Sequence, residues 1–193
     1  PVLAHLKTKS RAKLARLDCT TIAQAITQYN LDNLGRFPIT RGVQPNTDGD
    51  DITLSMHINQ DHDITSKGGV DPEWQNGSAP SNAQIMIILS ALEGMGNNPN
   101  INSGHSRNSK KFNFLGVKKF AQDPATPGMG PNGIFRDPFG NPYVVTIDKN
   151  GDDKCWDMLY GKKEVSGPNE QVGVQGLMKQ DHDNPDIGHG YVM

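Results

Sequence analysis

Aromatic side chains are scarce in this chain, with six Phe, four Tyr and two Trp among 193 residues. Trp74 and Trp156 alone cannot form a stacking platform for nucleic-acid bases or sugar rings. Glutamate is scarcer still, at 4 against 17 Asp. Glu suits helix surfaces, whereas Asp suits turns, caps and hard-cation sites, which argues against a mostly helical protein and for a fold rich in loops. Cysteine occurs twice, as Cys19 and Cys155, with no Cys-x-x-Cys to hold zinc or perform redox exchange. Whether the two pair depends on the fold, and a buried free thiol is the default expectation for each. No apolar run approaches the ~18 residues of a membrane span.

Catalytic signatures are also missing. The sequence contains no Gly-x-Ser-x-Gly, His-Glu-x-x-His, phosphate loop or dinucleotide fingerprint, and neither Cys has a catalytic context. His105 and Ser106 are adjacent on a polar stretch, where neighbours seldom share a productive hydrogen bond. His62 and His182, each flanked by two Asp, read as solvated loop positions rather than transition-metal ligands. These absences predict a non-enzymatic protein with no nucleic-acid partner and no small-molecule substrate.

What is present is turn formers, one long helix and uneven charge. Gly and Pro together number 34, enough for a loop-rich globular chain but too few for disorder. Residues 1–17 carry Lys7, Lys9, Arg11, Lys13 and Arg16 with no acid, a net +5. The remainder therefore sums to −7. Such a basic start suggests an arm or a juxtamembrane segment that meets anionic neighbours.

Residues 4–32 read as a helix, with Ala12, Ala15, Cys19, Ile22, Ile26 and Tyr29 on one apolar face. Gly35 and Pro38 end it. Its basic first third has no apolar stripe and is expected to protrude. A strand follows over 51–59, where Ile52, Leu54, Met56 and Ile58 alternate with polar residues. A second helix is expected over 81–94, opened by a Ser81–Gln84 capping box and stopped at Gly94 or Gly96. Phe112, Phe114 and Leu115 suggest a short core strand. The stretch 131–193 reads as an antiparallel meander, with strands near 134–136, 143–147 and 155–160, closing on an acidic loop. The expected organisation is a single α+β domain over 1–193: a long helix at 1–34, a variable region at 35–130, and the meander at 131–193.

One loop points to calcium from its own residues. Asp148, Asn150 and Asp152 place oxygens at i, i+2 and i+4, like the opening of an EF-hand loop, and Asp157 offers a later ligand. Read without an ion, the same loop is a hairpin turn at Asn150-Gly151. A second acidic cluster, Asp181, Asp183 and Asp186, lies near the C-terminus.

Four segments carry a family likeness. Tyr29-Asn30-Leu31-Asp32-Asn33-Leu34-Gly35-Arg36-Phe37-Pro38 resembles the Y-x-L-D-N-G-R-Y-P that ends the long helix of type II secretion major pseudopilins, with Leu34 inserted. Asp137-Pro138-Phe139-Gly140-Asn141-Pro142-Tyr143 resembles their D-P-W-G-N-x-Y turn. Asp157-Met158-Leu159-Tyr160-Gly161 is similar to the strand that follows, and Asp186-Ile187-Gly188 to their C-terminal D-I-G. The matches keep the family order.

The resemblance implies a pilin-like fold: a long N-terminal helix packed on a small antiparallel sheet, with the helix at 81–94 and the long loops as insertions. It implies a structural pseudopilin that polymerises with itself and other pseudopilins into a periplasmic filament. An apolar half-helix before Pro1 would anchor it in the inner membrane. It also implies a structural Ca²⁺ held by the C-terminal acidic loop, at Asp183 and Asp186, with Glu164 near the family's other acidic position. The alternatives are an adhesive pilin whose loops 60–80 and 97–111 bind a surface, or a secreted calcium-stabilised module that recognises a polysaccharide.

Overall fold

The computed structural model describes residues 2–39, 52–54, 81–96, 99–117, 121–123, 126–148, 155–156, 178–180 and 190–192. The fold is α+β, with antiparallel pairing throughout the described strands. The chain divides into two compact units. The first comprises 1–41 and 80–143, and the second 42–79 and 144–193.

In the first unit, α1 runs over Val2–Asp32. Thirty-one residues at 1.5 Å each give about 45 Å of helix. Its inward face differs from the predicted one. Ile22, Ala25 and Tyr29 are buried, and the line continues toward the N-terminus through half-buried Asp18, Ala15 and Arg11. Ala12 and Cys19, expected on the apolar face, are exposed. A polar partner for Asp18 rotates the buried face by one residue, and periodicity of apolar residues alone does not register such a contact. Residues 3–10 are exposed throughout.

α1 closes in a Schellman arrangement. Gly35 N–H reaches the Asn30 carbonyl at 2.9 Å, and Leu34 takes the left-handed position at φ 59°.

Helix α2, Ala83–Leu89, is shorter than the expected 81–94, and all seven of its residues are buried. The predicted capping box does not form, because no side chain caps the α2 N-terminus. Asn82, which precedes the helix, turns its amide elsewhere: Nδ2 donates to the carbonyls of Phe135 and Tyr143 at 2.8 Å each, and Oδ1 accepts from Phe135 N at 3.0 Å. The helix stops well before Gly94 because Ala91 adopts φ 57°. Leu92 N–H then bonds the Ile87 carbonyl and Ala91 N–H the Ile88 carbonyl, a second Schellman closure.

The residues after α2 are organised by buried asparagines around the turn Ser103–His105. Asn102 Nδ2 donates to the Leu92 carbonyl, while its Oδ1 accepts from Arg107 and Asn108 N–H groups. Asn108 Nδ2 reaches the Ile88 and Phe112 carbonyls, and its Oδ1 accepts from Phe112 N. These bonds satisfy backbone groups that no sheet pairs. Residues 112–115 are therefore not the expected strand. Phe114 and Leu115 N–H groups converge on the Leu89 carbonyl at the end of α2, and Phe112 is 56% exposed.

Strands β2 (Gly128–Met129) and β3 (Phe135–Arg136) form a hairpin. Gly133 in its turn has φ +79° and lies against α2; a Cβ there would stand 2.9 Å from Ile87 Cδ1. Only glycine fits that approach.

The second unit contains β1 (Ile52–Leu54) paired antiparallel with β4 (Val145–Ile147). Ile52 faces Ile147 and Leu54 faces Val145, and all four are buried. The remaining part of the predicted 51–59 strand lies outside the described residues. β5 (Cys155–Trp156) and β6 (Met178–Gln180) flank β7 (Gly190–Val192), and each pairs antiparallel with it. Among the described residues, β4 takes its partner from more than 90 residues earlier, and β5 lies beside the last strand; the rest of the predicted 131–193 meander lies outside the described residues. Local alternation identifies strands, but it carries no information about distant partners.

Candidate functional site

Two features lie along α1, one at its middle and one at its C-terminal end. The 137–143 turn is built by its own first residue. Asp137 Oδ1 accepts from the N–H groups of Phe139 and Asn141 at 2.8 Å each, and Asp137 N–H bonds the Asn141 carbonyl. This is an Asx turn closed a second time by backbone. Arg136 and Pro142 bridge across its base, and the rings of Phe135 and Tyr143 stack with centroids 5.6 Å apart. Phe139 is 45% exposed and lies under the Arg11 guanidinium at 5.8 Å. That cation–π contact contributes about 0.5–1 kcal/mol.

Beside it, Tyr143 Oη donates to Asp18 Oδ2 at 2.7 Å. Burial, then the Asp18 bond and charge, holds the Tyr143 phenol far above the ordinary tyrosine range. Asp18 was missed in the sequence because a lone carboxylate on a helix ordinarily faces water. The detectable signal was its place at i+3 from Ala15 and i−4 from Ile22. Neighbouring Cys19 is a free, exposed thiol. Partial desolvation, then the Asp18 carboxylate, pushes that thiol up and so keeps it protonated at neutral pH.

A second feature lies at the C-terminal end of α1. Tyr29 Oη donates to the Arg107 carbonyl, and Arg107 Nη1 donates to the Ile39 carbonyl at 2.7 Å. Tyr29 packs edge-on against Phe114 at 5.5 Å. Lys110 Nζ reaches the Asp32 carbonyl oxygen at 3.3 Å, a cation at the negative end of the helix dipole. These contacts enclose a cleft of about 600 Å³ lined by Asp32, Arg36, Ser106, Arg107, Ser109 and Lys110 among others. His105, just before it, faces Glu93 with Nε2 at 3.3 Å from Oε1.

Of the sequence-predicted calcium ligands, Asp148 alone lies among the described residues, half-buried immediately after β4. Asn150, Asp152, Asp157, Asp183 and Asp186 lie outside them, as do Glu164, His62 and His182. Among the described residues, no three His, Cys, Asp or Glu side chains cluster in a way that would hold a metal ion. No helix among them is long and apolar enough to cross a membrane. Comparison with protein-family models, curated proteins and solved structures finds no match to this chain.

Proposed function

We propose that this chain is a structural subunit of a pilin-like filament in a type II secretion-like system, a pseudopilin that acts by assembly and not by catalysis. The observation that carries the reading is the division of α1. Its C-terminal half buries Ile22, Ala25 and Tyr29, whereas Leu3, Leu6, Leu14 and Leu17 are 50–81% exposed. At about 100° per residue these leucines fall within an arc of about 80°, on a face distinct from the buried one. Four exposed leucines in one stripe are an interaction surface, and a neighbouring subunit's helix supplies the matching apolar partner. The likeness of residues 29–38 and 137–143 to pseudopilins supports the same reading. The Asp18–Tyr143 bond ties that turn to α1 within one unit.

In this reading an apolar segment before Pro1 anchors the subunit in the inner membrane, with the 193 residues in the periplasm. Ca²⁺ is bound by the acidic loops, with Asp148, Asn150, Asp152 and Asp157, or Asp183 and Asp186, as ligands. The donor set fits: hard carboxylate and amide oxygens at alternate positions suit Ca²⁺ at extracellular concentrations. Bound there, the ion would neutralise several carboxylates that otherwise repel one another.

The filament reading is tested by replacing Leu14 and Leu17 with Asp in the full-length protein in its own cells. Loss of filaments with an unchanged melting temperature of the isolated domain is the expected result. Normal filaments from the doubly substituted protein would overturn it.

A further inference from the structure

The two compact units carry opposite charge. The first holds 13 Lys and Arg against 5 Asp and Glu, a net +8; the second holds 6 against 16, a net −10. The N-terminal arm accounts for only five of the first unit's cations. Three more, Arg36, Arg107 and Lys110, converge on the cleft at the C-terminal end of α1.

We propose that the Arg36–Arg107–Lys110 cleft binds a carboxylate-rich segment of the acidic unit of a second copy of this chain, head to tail. Arg107 and Lys110 each direct one donor to a backbone carbonyl, Ile39 and Asp32 respectively. A guanidinium has five N–H donors and an ammonium three, so most of their capacity remains for a ligand. Among the described residues, Asp32 is the one carboxylate lining the cleft, against three cations, and its Oδ1 accepts from Gln28 Nε2 at 3.1 Å. Ser106 and Ser109 add hydroxyls beside the cations, a donor set suited to carboxylates. A volume near 600 Å³ admits two or three side chains of an extended segment.

The occupant follows from charge complementarity. The acidic unit carries runs outside the proposed calcium ligands, such as Asp48, Asp50 and Asp51, and Asp61 and Asp63, and every copy of the chain brings them. A basic site on one unit and an acidic segment on the other make a heterologous contact, which builds a ring or an open chain instead of an isologous dimer. The biological meaning of this contact rests on the filament reading, because head-to-tail addition is what a filament requires.

The test uses the 193-residue chain. Sedimentation velocity is run at about 20 mM and about 0.5 M salt, the second reducing the screening length to a few Å. Concentration-dependent association at low salt, lost at high salt, is expected. Arg36→Glu/Lys110→Glu, at two exposed positions, is expected to weaken association at least tenfold, with Arg36→Ala/Lys110→Ala intermediate and melting temperatures preserved. Lys7→Glu/Lys9→Glu reverses as much charge on the arm and is expected to change association less than threefold. Carbodiimide coupling of a mixture of ¹⁴N and ¹⁵N chains is expected to join Lys110 to Asp or Glu peptides of the other isotope. A monomer at every salt concentration, equal loss in the arm variant, or Lys110 links confined to single-isotope pairs would each overturn the proposal. Membrane anchoring plays no part in the experiment, so its failure is distinguishable from failure of the filament reading.

Discussion

Tyr143 Oη and Asp18 Oδ2 stand 2.7 Å apart, a bond between residues 125 positions apart in sequence. It fixes the 137–143 turn to the middle of α1, with a carboxylate accepting where the apolar pattern predicts hydrocarbon. Tyr143→Phe removes the donor while keeping the ring stack on Phe135. We expect a loss of about 1–2 kcal/mol, moderated because Asp18 is half-exposed and partly rehydrates. Urea denaturation of the variant checks this, and Asp18→Asn, which retains an acceptor, is expected to lose less than Asp18→Ala.

The same bond predicts a pH dependence. Burial raises the folded-state pKa of Tyr143 far above its unfolded value, so the neutral phenol is the favoured native form. Its contribution is fully present below the unfolded value near 10. Above that pH the unfolded state releases its proton while the native state retains it, and stability falls by up to about 1.4 kcal/mol per pH unit. Tyr29, raised mainly by burial, acts in the same direction. Unfolding curves between pH 8 and pH 11 are therefore expected to decline more steeply for the native sequence than for Tyr143→Phe.

Asn82 joins three backbone groups of Phe135 and Tyr143 with no exposure to solvent. Asn82→Ala leaves all three without that partner in a buried site and is expected to cost about 2–4 kcal/mol. Asn82→Asp is expected to be nearly as damaging, because it exchanges two donors for a buried charge. Thermal melts of both variants decide the point, and a cost below 1 kcal/mol for either would contradict this role.

Backbone conformation yields two changes of opposite sign. Leu34 and Ala91 occupy left-handed positions at helix ends, where a Cβ is unfavourable by about 1 kcal/mol. Leu34→Gly and Ala91→Gly are each expected to stabilise the protein by up to that amount. Gly133→Ala is expected to destabilise by about 2 kcal/mol or more, combining φ +79° with a Cβ 2.9 Å from Ile87. Chemical denaturation of the three single variants tests all of these together.

For calcium, millimolar Ca²⁺ is expected to raise the melting temperature, and Mg²⁺ much less, because Mg²⁺ sheds its waters reluctantly. Asp183→Ala/Asp186→Ala and Asp148→Ala/Asp152→Ala, compared by calorimetric titration, identify the loop involved. A melting temperature unmoved by Ca²⁺ would remove the ion from the account.

Some of this architecture was legible in the sequence. The 3.6-residue pattern finds α1, and the alternation of Ile52 with Leu54 finds β1, because burial of one face leaves a direct periodic trace. The details that position the turn leave none. Asp18 and Asn82 are polar residues whose partners come from distant segments, and their inward orientation depends on those partners. The pairings of β1 with β4 and β5 with β7 are equally hidden, since alternation states which side is buried but not which strand lies alongside. The basic cleft is hidden for the same reason. Arg36, Arg107 and Lys110 look like scattered surface charges until the loop after α2 folds back on the end of α1.

The most direct test of the filament account is the mass and N-terminal sequence of the native protein purified from its own membranes. The account predicts an N-methylated residue followed by about twenty apolar residues leading into Pro1-Val2-Leu3, the length that crosses a bilayer as a helix. A native protein that begins near Pro1, or just after a conventional signal-peptide site, would contradict it.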